Sequence, residues 1–144
     1  MPTILSEYID LEKIEIHKRR WTPLTPYNIT VTRGYRIYFP GDPGPAENLS
    51  HLAHLIHETV HVWQYEYWGV GLYSPRWLNR KYHYRLLETD RLLTFGLEQQ
   101  AALIEDWFRK SRGLSYRWAE NDPPLSRLEA IIQACEAEMQ QRFS

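Results

Sequence analysis

The sequence contains very little cysteine, since Cys135 is the only one among 144 residues. A single cysteine allows no intrachain disulfide and no cysteine-ligated zinc finger, so we expect stability to come from a hydrophobic core. No run approaches the roughly 18 apolar residues of a membrane-spanning helix. The first residues lack the basic start and apolar stretch of a secretory signal peptide. We therefore expect a cytoplasmic protein in the producing cell, or one exported without a signal peptide.

Neither sign of charge is in excess, because 17 lysines and arginines face 18 aspartates and glutamates, for a net charge of -1. Proteins whose main partner is nucleic acid or an anionic membrane usually carry a basic surplus, so we expect neither partner. The length and the 43% of hydrophobic residues suit one globular domain, which we place over residues 1–144. Aromatic residues are abundant at 14%, and such residues fill small cores and also line binding grooves.

Three β-rich segments precede all the helical ones. Residues 8–17 alternate apolar and charged side chains, which predicts a strand. Residues 27–32 and 35–39 are rich in β-branched and aromatic side chains, and a turn at Gly34 between them predicts a hairpin. The prolines and glycines of residues 40–45 then end the sheet.

Three helical patterns follow the strands. The first covers residues 46–68 and ends at Gly69, and the second covers residues 92–111. The third begins with a capping-box pattern made by Ser126 and Glu129. Strands followed by helices predict an α+β fold, in which a small N-terminal antiparallel sheet of about three strands packs against a first, long helix and two further helices.

The first predicted helix contains the pattern H-E-x-x-H at residues 57–61. His57 and His61 lie about 40° apart around a helix and one turn apart along it, so both imidazoles can bind one metal ion. Glu58 lies beside them and can reach a metal-bound water. The opposite face of the helix is apolar, which predicts that one side packs on the core while the other forms a site.

A catalytic zinc site usually has three protein ligands and one open position, so a third ligand is needed. His54 shares the polar face, but His54, His57 and His61 span about 10 Å, which one metal ion rarely bridges. The stronger candidate is Glu98, because an antiparallel second helix would return it to the two histidines. His83, which lies between the two helices, is the other candidate.

Metal-bound histidines usually donate their second ring N–H to a carboxylate or carbonyl group, which fixes the orientation of the ring. Glu105 lies on the same helical face as Glu98, so it is a candidate for this supporting role. Gln64, Gln99 and Gln100 are candidates of the same kind.

The blocks L-I-H-E-T-V-H-V-W-Q at residues 55–64 and L-E-Q-Q-A at residues 97–101, with Tyr82-His-Tyr84 between them, carry a family resemblance. Over residues 27–110 the protein resembles small gluzincin-type zinc metallopeptidases. More narrowly, it is similar to the metallopeptidase domains at the C-termini of type VI secretion spike (VgrG) proteins and in related Rhs-type and standalone effectors.

This resemblance implies a zincin-like fold and one zinc ion per chain, bound by His57, His61 and Glu98. It implies that Glu58 is the catalytic base, and that the strand at residues 35–39 aligns an extended substrate.

The sequence departs from larger gluzincins at one position. Those proteins have an acidic residue four positions after the third ligand, where it orients a zinc histidine, but Ala102 occupies that position here. Glu105, Asp106 or a glutamine is therefore the expected substitute.

The resemblance implies a zinc-dependent metallopeptidase that hydrolyses peptide or amide bonds, and it suggests an antibacterial or toxin-type effector. Such a reaction needs a second donor, besides the metal, for the oxyanion of the tetrahedral intermediate. Tyr82, His83 and Tyr84 are the candidates, because they lie between the two ligand helices. Proteins, peptides and peptidoglycan cross-links all contain suitable amides. A secretion apparatus and an immunity protein are the expected protein partners.

Two other functions fit parts of the sequence. A catalytically silent zincin-fold module could bind metal or serve as an adaptor, although a purely structural site would not need Glu58. A helical interaction protein without metal could use the apolar face of the last helix, but such a face is usually core. Cys135 lies on that face, so we expect it to be a buried hydrophobic residue rather than a nucleophile.

Overall fold

A three-stranded sheet and three long helices make up most of the computed structural model, which describes residues 3–26, 28–41, 48–69, 81–87 and 90–143. This arrangement confirms the predicted α+β fold. In chain order, the elements are α1 (Thr3–Ser6), β1 (Glu15–His17), β2 (Val31–Arg33), β3 (Arg36–Tyr38), α2 (Leu49–Trp68), α3 (Leu97–Ser111) and α4 (Leu125–Phe143).

The sheet has the order β1-β3-β2, and β2 and β3 form the predicted antiparallel hairpin. Gly34 occupies the turn with a positive φ of 61°, a conformation that glycine adopts readily. The prediction of a purely antiparallel sheet is wrong, because β1 pairs with β3 in parallel, with Ile16 opposite Ile37. The two hairpin strands run in opposite directions, so the direction of the pairing depends on which of them lies beside β1. The strand beside β1 is β3, which runs in the same direction as β1.

The strand predicted over residues 8–17 is much shorter in the structure. Only Glu15–His17 pairs with the sheet, and Leu11–Lys13 form a turn of 3-10 helix. The Asp10 carboxylate accepts a hydrogen bond from the Glu12 backbone N–H at 3.1 Å, and this local bond competes with extension of the strand. The predicted start of the second strand, Tyr27, lies outside the described residues.

Helix α2 is capped at both ends. The Asn48 side chain accepts hydrogen bonds from the backbone N–H groups of Ser50 and His51, and Gly69 ends the helix with a positive φ of 62°, as predicted. The predicted helix start at residue 46, and most of the preceding segment 40–45, lie outside the described residues.

The predicted second helix is divided in two. Leu92–Thr94 form a turn of 3-10 helix, and α3 begins only at Leu97 after an extended Gly96. The Gln99 side chain accepts a hydrogen bond from the Gly96 backbone N–H at 3.0 Å, which starts a new helix at this position.

Helix α4 also begins earlier than the capping pattern predicts. Its first residue is Leu125, so Ser126 lies within the first turn and is not the N-cap residue. Two prolines directly before Leu125 set the boundary, because proline is tolerated at a helix start but not in its interior.

The core lies where α2, α3 and α4 meet. Val60 and Trp63 of α2 and Ala101 of α3 are all fully buried there. Cys135 of α4 is 4% exposed, and burial raises the pKa of its thiol to about 12. This confirms its prediction as a buried apolar residue. Within the described part of the chain, no helix has the length and apolar character needed to cross a membrane.

Candidate metal centre

Two helices position the three predicted metal ligands. His57 and His61 lie one turn apart in the middle of α2, and Glu98 is the second residue of α3. Since α2 packs mainly against α3, the first turn of α3 faces the motif. One ligand atom from each residue lies within 4.8 Å of the other two, and all three residues are buried. The structure therefore contains a buried His-His-Glu group that could hold a metal ion.

The glutamate is shared by the two histidines. Glu98 Oε1 lies 3.4 Å from His57 Nε2 and 2.5 Å from His61 Nε2. Both rings thus direct Nε2 toward one carboxylate oxygen, so the three atoms that could bind a metal ion lie close together.

The other nitrogen of His57 faces Glu105. Its Nδ1 lies 3.0 Å from Glu105 Oε1, and Glu105 is almost completely buried. The same carboxylate accepts a hydrogen bond from Trp118 Nε1 at 3.0 Å and lies 3.5 Å from Arg117 Nη1. Glu105 therefore fixes the ring of His57 and is itself held by two residues from the segment after α3.

The other nitrogen of His61 faces Gln64. His61 Nδ1 and Gln64 Oε1 are 2.8 Å apart, and the Gln64 amide nitrogen donates to the Leu97 carbonyl and to Gln100 Oε1, both at 3.0 Å. Because the amide N–H groups already have acceptors, the amide oxygen must accept a hydrogen bond from the Nδ1–H group of His61. The hydrogen bond to Gln64 thus places a proton on His61 Nδ1, and the other ring nitrogen, Nε2, faces Glu98.

The electrostatics of the group follow from its burial and its carboxylates. Burial alone would lower the pKa of His57, but hydrogen bonds to Glu105 and Glu98 and the charge of Glu58 raise it to about 10. Burial would raise the pKa of Glu98, but its bonds to His57 and His61 hold it well below the usual range. Without a metal ion, His57 is therefore protonated and Glu98 is ionised at neutral pH.

Glu58, the candidate base, is buried next to the histidines. Thr32 Oγ1 of β2 donates a hydrogen bond of 2.6 Å to Glu58 Oε2, and His54 Nε2 lies 3.4 Å from Oε1. Burial would raise the pKa of Glu58, but His54, the charges of the two motif histidines and the bond from Thr32 lower it. The side chain is therefore a carboxylate, as a proton acceptor must be.

A cavity of about 180 Å³ opens beside these residues. His54, His57 and Glu58 of α2 line it, together with residues 28–30 before β2 and side chains from the segments that flank α3. The strand expected to align a substrate, at residues 35–39, is wrongly chosen, because β3 is paired on both sides. The outer strand on the cavity side is β2.

The three candidate donors to the oxyanion, Tyr82, His83 and Tyr84, lie in different places. The Tyr82 ring stacks between His57, at a centroid distance of 5.7 Å, and Trp118, at 4.9 Å, and it lines the cavity. The Tyr84 hydroxyl donates to Asp106 at 3.0 Å inside the core. His83 is exposed, and its Nδ1 lies 3.2 Å from the Trp118 carbonyl. The structure thus brings Tyr82 to the cavity, but not Tyr84 or His83.

Asp106 anchors the segment that completes the cavity. Its carboxylate accepts hydrogen bonds from the backbone N–H groups of Arg117, Trp118 and Ala119 at 2.7, 3.1 and 3.0 Å. Asp106 therefore supports the site through the backbone and does not contact a histidine. Of the expected substitutes for the acidic residue that is replaced by Ala102, Glu105 contacts His57 and Gln64 contacts His61.

Sequence reasoning missed Thr32, Arg117 and Trp118. None lies within a motif, and each reaches the site through long-range packing. The β-branched run around Thr32 and the aromatic character of Trp118 were the only local signals, and both are common in cores.

Comparison with known proteins finds one solved structure with a similar fold. Neither the known family models nor the curated proteins include a match. Among solved structures, the effector domain of Pseudomonas aeruginosa VgrG2b superposes with a TM-score of 0.63 and 23% sequence identity. The protein has the fold of that effector domain. The alignment covers 93% of this chain and 74% of the other, so it extends well beyond residues 27–110, which carry the sequence resemblance.

Proposed function

We propose that the protein is a zinc-dependent hydrolase of peptide or amide bonds, and that it acts as a toxin-type effector exported by type VI secretion. One observation carries this proposal. His57 and His61 each have Nδ1 engaged by a buried side chain and Nε2 directed at Glu98, beside the ionised Glu58. The likeness to a VgrG2b effector domain supports the second half of the proposal.

The chemistry of the donors fits zinc. Two imidazole nitrogens and one carboxylate oxygen form a ligand set found in catalytic zinc sites, whereas magnesium and calcium prefer oxygen alone. Ligand atoms of a tetrahedral zinc site lie about 3.3 Å apart. The 3.4 Å between His57 Nε2 and Glu98 Oε1 matches this spacing, whereas the 2.5 Å between His61 Nε2 and Glu98 Oε1 is shorter, so these two side chains would have to separate slightly to admit the ion.

The metal ion and the protein side chains would have different roles in the reaction. Bound to His57, His61 and Glu98, zinc would lower the pKa of a water ligand to about 7 and polarise the scissile carbonyl. Glu58 accepts the proton of the attacking water and returns it to the leaving amine. Thr32 holds Oε2 of Glu58 by a short hydrogen bond, whereas Oε1 has only the longer 3.4 Å contact with His54, so Oε1 is the oxygen proposed for proton transfer. Tyr82 is the proposed donor to the oxyanion, since it lines the cavity beside His57.

An extended peptide can be bound along β2. In the described part of the sheet, the outer edge of β2 has no strand partner, and residues 28–30 just before it line the cavity. Backbone groups of such an edge can pair with an extended substrate and leave its side chains to select the sequence. This arrangement suits proteins, peptides and the peptide cross-links of peptidoglycan.

The metal is tested first by elemental analysis of the purified full-length protein. We expect about one zinc per chain, and a large loss of zinc when Glu98→Ala removes a ligand. Glu129→Ala on the outer face of α4 is the matched control, because this exposed glutamate lies far from the group in sequence and lines no part of the cavity. A protein that takes up no metal after zinc addition would contradict the proposal.

Catalysis is tested by mass spectrometry of peptide and peptidoglycan digests. We expect Glu58→Gln to keep its zinc and to lose turnover, because the amide cannot accept the proton. Equal hydrolysis by this variant would exclude Glu58 as the base. Full zinc occupancy without hydrolysis of any substrate would indicate the alternative function, a catalytically silent metal-binding or adaptor module.

A further inference from the structure

Arg117 is the one residue with a permanent positive charge among the described residues that line the cavity. It lies there with His57 and Glu58, which belong to the proposed catalytic group. Its side chain is 49% exposed, so a molecule that enters the cavity can reach it. The proposed mechanism assigns no role to this charge.

The guanidinium is held in place before any ligand arrives. Its central carbon lies 4.3 Å from the centroid of the Trp118 ring, in cation–π contact. Trp118 is fixed by its bond to Glu105 and by stacking on Tyr82. The backbone of Arg117 is fixed by Asp106. A long side chain that is already ordered loses little conformational entropy when it binds a ligand.

The described residues engage the N–H donors of the Arg117 guanidinium only in part. Its one acceptor among the described residues is Glu105 Oε2, at the long distance of 3.5 Å. Glu105 also has polar contacts with His57 and Trp118, so its carboxylate keeps partners when Arg117 binds another group. A guanidinium carries five N–H donors in a planar fork, which matches a carboxylate in bidentate geometry.

We propose that Arg117 binds a carboxylate group of the substrate, so that the protein selects amide bonds next to an acidic side chain or a free terminal carboxylate. This inference rests on the proposed function, because it names the substrate class of the same site. The cavity volume of about 180 Å³ suits one amino-acid residue and is below the roughly 300–1,000 Å³ of drug-sized pockets. Both carboxylate sources present the same planar group to the guanidinium.

The binding step can be measured without turnover. We would titrate the full-length ¹⁵N-labelled protein, as purified, with three probes and follow the Arg117 Nε–H and Trp118 indole N–H signals by nuclear magnetic resonance. N-acetylglycine offers a terminal carboxylate, N-acetylglutamate α-amide offers one on its side group, and N-acetylglutamine amide offers neither. We expect at least one acid to bind about tenfold or more tightly than the amide. The tighter acid identifies the source.

Variants assign the effect to the guanidinium. Arg117→Gln should reduce binding of the acid probe to the level of the amide, and Arg117→Lys should be intermediate, because it keeps the charge but lacks the fork. Arg112→Gln is the matched control, since its guanidinium contacts the Phe108 ring and does not line the cavity. Equal binding of acid and amide by the wild type, or a preference retained by Arg117→Gln, would overturn the inference.

Hydrolysis separates this inference from the proposed function. We would compare kcat/KM for peptides that differ only by Glu against Gln next to the cleaved bond, and use the ratio because it cancels any general loss in a variant. We expect a ratio of about ten or more in the wild type and a ratio near one in Arg117→Gln. Cleavage with no preference would refute the inference alone. Carboxylate binding through Arg117 without cleavage of any peptide would refute the proposed function alone.

Discussion

Thr32 of β2 makes a short hydrogen bond to the proposed base, Glu58. Its hydroxyl donates 2.6 Å to the buried Glu58 carboxylate, and a hydrogen bond to a charged group contributes about 1.5–3 kcal/mol. We predict that Thr32→Val lowers kcat by roughly 10- to 100-fold while KM and zinc content stay unchanged, since the base loses its orientation and the ligands do not change.

The conservative variant is the control for Thr32. Thr32→Ser keeps the hydroxyl and should restore most of the lost turnover, as measured by steady-state hydrolysis of one peptide substrate. If the valine variant turned over as fast as the wild type, the bond seen between Thr32 and Glu58 would have no catalytic role.

Gln64 contacts the candidate metal ligand His61, so it would act on a bound metal ion through that ring. Replacing it with methionine removes the acceptor of the His61 ring proton and leaves the Gln100 side chain without its donor. Loss of such a supporting partner typically costs about 10- to 100-fold in metal affinity. We predict this loss for Gln64→Met by zinc titration against a competing chelator. Gln133→Met, on the exposed face of α4, should bind zinc as the wild type does; an unchanged affinity in both variants would contradict this role.

Helical periodicity explains which site residues could be found from sequence. His57, His61, Glu98 and Glu105 were predicted because their spacing fixes their faces on two helices, and the structure brings all four together. Thr32 could not be found in this way, because its contact with Glu58 depends on how the sheet packs on α2.

The same contrast appears among the strands and helix ends. The hairpin follows from a local turn at Gly34, whereas the parallel pairing of β1 depends on which hairpin strand becomes central. The break at Gly96 depends on one side-chain bond from Gln99, which helical periodicity does not reveal. Local rules therefore predicted the element types, while strand direction and helix boundaries were set by longer-range or single contacts.

The pairing of α2 with α3 couples metal binding to protonation. Glu105 and Glu98 of α3 face the two nitrogens of His57 of α2, and together with the charge of Glu58 they raise the pKa of His57 to about 10. A raised pKa means that the proton on His57 stabilises the metal-free fold fully below pH 6.5, and that this stabilisation is lost as the pH rises through about 10.

Zinc must displace that proton, because a coordinating imidazole is neutral. We predict that zinc binding at pH 7 releases at least one proton, and that affinity rises about tenfold per pH unit below the pKa of His57. Calorimetry in two buffers of different ionisation enthalpy measures the number released. Binding without proton release would show that His57 is neutral before the metal arrives.

At the scale of the whole molecule, the buried group of His57, His61 and Glu98 joins the two central helices α2 and α3. Glu58, Glu98 and Glu105 are three buried carboxylates around two histidines, so the metal-free interior has an excess of negative charge. A divalent cation would offset this excess and cross-link α2 to α3. Metal removal should therefore weaken the packing of the entire domain, because both helices contribute to the core on which α4 also packs.

We predict a large thermal shift on this basis. A ligand present at a thousand times its Kd stabilises the folded state by about 4 kcal/mol. For a domain near this size, each kcal/mol raises Tm by roughly 2–4 °C, so saturating zinc should raise Tm by roughly 8–16 °C. Differential scanning calorimetry of chelated and zinc-loaded protein measures the shift.

Two variants test where the stabilising metal binds. Glu98→Gln should lose most of the thermal shift, because an amide is a poor zinc ligand, while Glu129→Gln should keep the shift. A shift equally large in Glu98→Gln would mean that the stabilising metal binds elsewhere, whereas no shift in the wild type would mean that the helices are held without it.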